Sequence, residues 1–156
     1  MGSFMGAIVA LFTYIAIGGP TGYQLDPLTS QLQTFLETKG SPIPAIELTK
    51  YDNWEMIVAL SAAESGYGKH MAGDQNAWGI KDFRKGSENF GKTRNFESWE
   101  ESIKFTSELL YKYDPEDGSP TPRGMVRTWK YVLPYNHWVN NVSYALYDIE
   151  RNVNVG

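Results

Sequence analysis

Trp54-Glu55-Met56-Ile57-Val58-Ala59-Leu60-Ser61-Ala62-Ala63-Glu64-Ser65-Gly66-Tyr67-Gly68-Lys69 reads as an apolar helix that ends on a carboxylate. Asp52 or Asn53 supplies an N-cap, the run after it is helix-forming, and Gly66 suits the left-handed position just past the C-terminus. At about 100° per residue, Ile57, Leu60 and Glu64 share one face, so Glu64 continues an inward stripe. Burial disfavours a charged carboxyl, and the negative end of the helix dipole disfavours it further. A carboxylic acid that keeps its proton near neutral pH is what a general acid for a leaving oxygen must be. The alternative is that Glu64 frays into solvent as an ordinary last-turn residue.

Working outward, 156 residues allow one domain with a sizeable core and a short appendage. Hydrophobic residues at 42% and aromatics at 14% exclude a disordered chain. The net charge of −4 argues against nucleic acid as a partner, and Lys81, Arg84 and Lys85 read as a solvated turn. Cysteine is absent, which excludes disulfides, thiol catalysis and thiolate metal sites; exported and cytosolic proteins both fit that. His70 and His137 are the only histidines and lack HExxH spacing, so neither a metal nor any cofactor is expected.

Phe4–Gly19 is an almost uninterrupted apolar run, slightly short of the roughly 17–25 residues of a membrane span, with no Lys or Arg before it. A signal peptide, a short membrane anchor and a buried helix all fit; export or tethering through residues 4–19 is the expectation. Gly18-Gly19-Pro20-Thr21-Gly22 then divides a segment 1–22 from a folded domain 23–156.

Within that domain, Asp26-Pro27-Leu28 opens a helix with the stripe Leu28, Leu32, Phe35 and Leu36. Ser41-Pro42-Ile43-Pro44 forms a turn or a short extended piece. Asn76 to Phe96 reads as a small β-hairpin or an irregular two-stranded ribbon. Ser98-Trp99-Glu100-Glu101 is a capping box, Thr121-Pro122 caps a short helix to about Trp129, and Asn136 or His137 begins the last helix. The expected class is mainly α, with about five helices and one small hairpin.

Three blocks carry a resemblance: Glu64 to Lys69, then Asn76-Ala77-Trp78-Gly79-Ile80-Lys81, then Phe96-Glu97-Ser98-Trp99-Glu100-Glu101-Ser102-Ile103. In this order and spacing they resemble glucosaminidase-type domains of the lysozyme-like superfamily, the bacterial domains described as mannosyl-glycoprotein endo-β-N-acetylglucosaminidase-like. Phe35-Leu36-Glu37, Gly40-Ser41-Pro42, Thr121-Pro122, Tyr131 and the stretch from Trp138 to Ile149 extend it over residues 25 to 151. The resemblance implies a lysozyme-like α+β domain with a saccharide groove between a helical lobe and a hairpin lobe. It implies, as substrate and partner, the β-1,4-linked N-acetylglucosamine/N-acetylmuramic acid strand of peptidoglycan. It puts Glu64 at the catalytic acid, and with it goes an extracytoplasmic, monomeric enzyme.

Ser65 is then a hydrogen-bond partner near the carboxyl or a plain structural cap. The second carboxylate stays open: Glu88 in the hairpin turn and Glu97 before the next helix are candidates, and solvated turn charge is the other reading. One-carboxylate chemistry is a further option, with the substrate's own acetamido group or the muramic 6-hydroxyl attacking. Tyr67, Trp78, Tyr131 and Tyr135 are candidates to stack on sugar faces, and Asn76 to hydrogen-bond hydroxyls and acetamides, against the alternative of core packing. Trp54, Trp99, Trp129 and Trp138 stand at core spacing and read as structural. A lytic transglycosylase, a muramidase and a silent glycan-binding module are the competing functions.

Overall fold

A computed structural model of the chain describes residues 24–130 and 133–153; Phe4–Gly19 and Tyr131 lie outside the described residues. Six helices follow in order among the described residues: α1 Pro27–Thr38, α2 Ala45–Leu48, α3 Trp54–Ser65, α4 Trp99–Leu110, α5 Pro122–Trp129 and α6 Asn136–Asn152. The fold is mainly α. One helix more than expected is present, because the turn after Pro44 closes into the single-turn α2.

Local chemistry accounts for most of the boundaries. Asp26 accepts from the Thr29 amide at 3.0 Å and Pro27 occupies the first helical position of α1. Ser98 accepts from the Glu101 amide at 3.1 Å to start α4, while the Glu101 carboxylate reaches past it to the Glu97 amide at 2.9 Å. Thr121 caps α5 through the Gly124 amide at 3.1 Å.

α3 is the centre of the molecule. It is apolar nearly all round, as a helix enclosed by others must be, with Ile57, Val58, Ala59 and Leu60 inaccessible to solvent. It packs chiefly against α6 and also against α4 and α2, while α1 and α5 add their own contacts to α6. Burying a side chain such as Leu60 contributes about 1.5–3 kcal/mol, so this helix is the part of the fold least able to shift.

Asn53 does not cap α3 with its side chain as expected. Its carboxamide is fully buried instead, donating to the Ser107 and Gly118 carbonyls at 3.3 and 3.2 Å and accepting from the Ser107 hydroxyl at 2.9 Å. The start of α3, the end of α4 and the following loop are thereby pinned together.

The stretch from Asn76 to Phe96 is an irregular ribbon in place of a hairpin of regular strands. Its only β pairing among the described residues is one antiparallel bridge, Lys81 with Thr93. Asp82 explains the irregularity, since its buried carboxylate accepts from the Arg84 amide, the Arg84 guanidinium and the Ser87 hydroxyl. A side chain that takes up nearby donors in this way competes with a regular ladder. Buried Arg94 fastens the ribbon to α4, donating to Glu101 at 2.5 Å and lying over the Phe96 and Phe105 rings. No helix among the described residues is long and apolar enough to cross a membrane.

Candidate active site

Glu64 is the penultimate residue of α3, half-buried, and the helix stops one residue later because Gly66 takes the left-handed conformation, φ 58° and ψ 51°. The carboxyl is thus held on a rigid element where a tight turn exposes it. Two indoles meet it from the C-terminal helices. Trp138, in the first turn of α6, donates its Nε1–H to Glu64 Oε1 at 2.5 Å, and Trp129, the last residue of α5, donates to the same oxygen at 3.2 Å.

An indole nitrogen donates and cannot accept, so Oε1 is the acceptor of both bonds. With two N–H donors on Oε1, Oε2 is the oxygen left open to a proton, and no hydrogen-bond partner for it exists among the described residues. Oε2 lies towards Gly79, where a Cβ would come within 3.7 Å of it. That spacing is ordinary contact. It is the φ of +66° that calls for glycine at position 79.

The loop that carries Gly79 is assembled by residues the sequence nominated for other work. The Asn76 carboxamide accepts from the Ile80 amide at 3.0 Å and donates to the Ile80 and Arg94 carbonyls at 2.9 and 2.7 Å, so it closes the loop from within the core. Ser65 Oγ donates to the Ala77 carbonyl at 2.6 Å and accepts from the Gly68 amide at 2.9 Å, stitching the loop to the end of α3. Trp78 anchors it from below, with its Nε1–H on the Ile57 carbonyl at 2.8 Å and its ring edge-on to Trp99.

A cleft of about 390 Å³ opens over Glu64, within the usual range of about 300–1,000 Å³ for small-molecule sites. Trp78, Gly79 and Phe83 of the ribbon line it together with Phe105, Leu109, Lys112, Tyr113 and Trp129. Tyr113 and Trp129 stack at a tilt, ring centres 6.0 Å apart, and burial pushes the Tyr113 phenol above its ordinary value of 10.0, so it stays a neutral hydroxyl. Glu64 is the one carboxylate among the described residues that line this cleft.

Neither Glu88 nor Glu97 reaches that cleft. Glu88 is exposed on the ribbon's turn, and Glu97 borders a separate polar depression with Asp74, Gln75 and Asn95. Tyr67 also stands apart: it packs edge-on to Phe35 and lines a hollow against α6 with Lys39, Ala62 and Asp148. Burial, reinforced by Asp148, pushes its hydroxyl up to about 12. Tyr135 is the N-cap residue of α6 and packs against the core. Of the aromatic candidates within the described residues, only Trp78 borders the Glu64 cleft, and at 1% exposure it is a core residue with no ring face free for a sugar.

The residues read as structural proved the informative ones. Trp129 and Trp138 fit core spacing, yet their N–H groups converge on Glu64. A signal for this exists in the sequence: a buried indole needs an acceptor, and a half-buried carboxylate needs donors. His70 and His137 are both exposed, and no group of three or more His, Asp or Glu among the described residues is placed to hold a metal ion. No protein-family model, curated protein or solved structure matches the chain.

Proposed function

We propose that this chain is a peptidoglycan hydrolase of lysozyme-like fold that cleaves β-1,4 glycosidic bonds of the N-acetylglucosamine/N-acetylmuramic acid strand, with N-acetylglucosaminidase activity as the leading assignment. One observation carries the proposal: the carboxyl at the end of the core helix has one oxygen held by two N–H donors and the other, beside Gly79, without a partner among the described residues, in an aromatic-walled cleft. The resemblance of the three sequence blocks supplies the substrate class. An enzyme of this kind works outside the cytoplasm.

The chemistry follows from the two oxygens. Oε2 delivers its proton to the glycosidic oxygen as the C1–O bond breaks and its electron pair passes to that oxygen. Glu64 becomes a carboxylate as this happens, and the indole donors on Oε1 stabilise the charge as it develops. With no second carboxylate lining the cleft among the described residues, the nucleophile at C1 is assigned to the substrate. Its 2-acetamido oxygen closes on C1, and water then opens the ring with Glu64 accepting the water proton. The same absence favours one further reading, a lytic transglycosylase in which the muramic 6-hydroxyl attacks C1.

Digestion of purified sacculi followed by mass spectrometry of the new ends tests the proposal. A reducing N-acetylglucosamine end supports the leading assignment. A reducing muramic end indicates a muramidase and a 1,6-anhydro end a transglycosylase. Binding without any product marks a silent glycan-binding module and refutes the hydrolase.

A further inference from the structure

Two large apolar side chains project from the ribbon's turn: Phe83 is 69% exposed and Phe90 61%. They are not loosely placed. Their rings meet edge-on with centres 5.7 Å apart, and the turn that bears them is braced from inside by the Asp82 carboxylate, with Arg84 and Ser87 bound to it. The backbone closes the same turn, since the Gly91 amide donates to the Asp82 carbonyl at 2.6 Å and the Asp82 amide to the Lys92 carbonyl at 2.9 Å. A buried, fully hydrogen-bonded aspartate that holds two phenyl rings in water is a costly arrangement without an occupant.

Phe83 also lines the Glu64 cleft, so the pair prolongs the aromatic wall of that cleft onto the ribbon's tip. We propose that Phe83 and Phe90 form a sugar-binding subsite at the lip of the cleft, on which a pyranose ring of the glycan strand stacks through its C–H face. The inference rests on the glycan-hydrolase reading and assigns where the strand is gripped outside the scissile bond. A ring that lines the catalytic cleft faces the strand that enters it. Lys81, Arg84, Lys85 and Lys92 stand in the same ribbon against only Asp82 and Glu88, which suits a strand bearing carboxylate-containing peptides. A lipid surface is the competing occupant of a basic and aromatic tip, and the experiment separates the two.

The full chain is compared with its Phe83→Ala, Phe90→Ala and Phe83→Trp variants. Sedimentation with purified sacculi gives binding, release of soluble fragments gives kcat and KM, and thermal unfolding gives stability. Phe83→Ala is expected to weaken binding and raise KM about tenfold, equivalent to about 1.4 kcal/mol, with kcat nearly unchanged. Phe90→Ala acts in the same direction, Phe83→Trp restores affinity, and unfolding hardly moves because both rings are exposed. Wild-type cleavage with unchanged KM in both alanine variants overturns the subsite and leaves the hydrolase reading intact. A wild-type protein that neither binds nor cuts sacculi overturns both. Phe83-dependent sedimentation with phosphatidylglycerol vesicles, but not with sacculi, assigns the tip to a membrane and overturns the subsite.

Discussion

Trp138→Phe isolates the contribution of one hydrogen atom to the site. The phenyl ring keeps most of the packing against α3, but Oε1 loses its shorter donor, at 2.5 Å, and keeps only Trp129 at 3.2 Å. A hydrogen bond to a charged group is worth about 1.5–3 kcal/mol. In the proposed mechanism Glu64 becomes charged as its proton is transferred, so this bond strengthens on the way to the transition state and its loss falls on kcat. At 1.4 kcal/mol per decade the expected fall is about 10–100-fold, with KM nearly unchanged. The smaller ring leaves a void in a site that is 5% exposed, so stability should fall by about 1–3 kcal/mol, within the roughly 5–15 kcal/mol of a typical domain. Glycan-strand cleavage and urea unfolding are measured for Trp138→Phe, for Glu64→Gln and for the pair. Because both substitutions disable the same device, their kinetic effects should be far from additive. A Trp138→Phe enzyme with wild-type kcat would show that the indole contact is packing alone.

Glu64→Gln should reduce turnover by about 10²–10⁴-fold, as loss of an acid–base group does, with a preserved circular dichroism spectrum; Glu88→Gln and Glu97→Gln should stay within about twofold, since neither lines the cleft. A severe loss in either would require the ribbon to close over Glu64 during turnover. Asn53→Ala strands the Ser107 and Gly118 groups that the carboxamide now satisfies, and denaturant unfolding should show a loss of about 2–3 kcal/mol. Asp82 carries the pH dependence: hydrogen bonds from the Arg84 and Ser87 side chains hold its carboxyl far below the ordinary 3.8. The unfolded chain therefore binds this proton more readily, and the carboxylate's stabilisation is complete above about pH 4 and lost as pH falls through the folded-state value. The stability gap between wild type and Asp82→Asn should narrow between about pH 4 and pH 2; a constant gap across that range would mean that the charge contributes nothing.

The parts of the fold that could be read from the sequence are those settled within a few residues. Asp26-Pro27, Ser98 with Glu101, Thr121-Pro122 and Gly66 mark their helix ends because cap and helix are neighbours in the chain. Glu64 was legible for the same reason, as the last polar position of an inward stripe. Asn53, Asn76 and Ser65 were not, because each chose a distant partner over a local or substrate-facing role: the end of α4, the Arg94 carbonyl and the Ala77 carbonyl. Spacing that marks Trp129 and Trp138 as core is silent about where an indole N–H points. Of the two readings of Asn76 to Phe96, the irregular ribbon holds over the hairpin, since Asp82 gathers donors from a turn that strands would otherwise continue through.

The two indoles on Glu64 also set an order of events in biosynthesis. The chain supplies the carboxyl and the loop over it within its first 80 or so residues, but the donors arrive only with α5 and α6. Until α6 docks on α3 and α5 on α6, neither indole reaches Glu64 Oε1. A nascent or clipped chain lacking α6 therefore carries the acid without its orientation. On the proposed reading, cleavage is thus deferred until the last helix has docked.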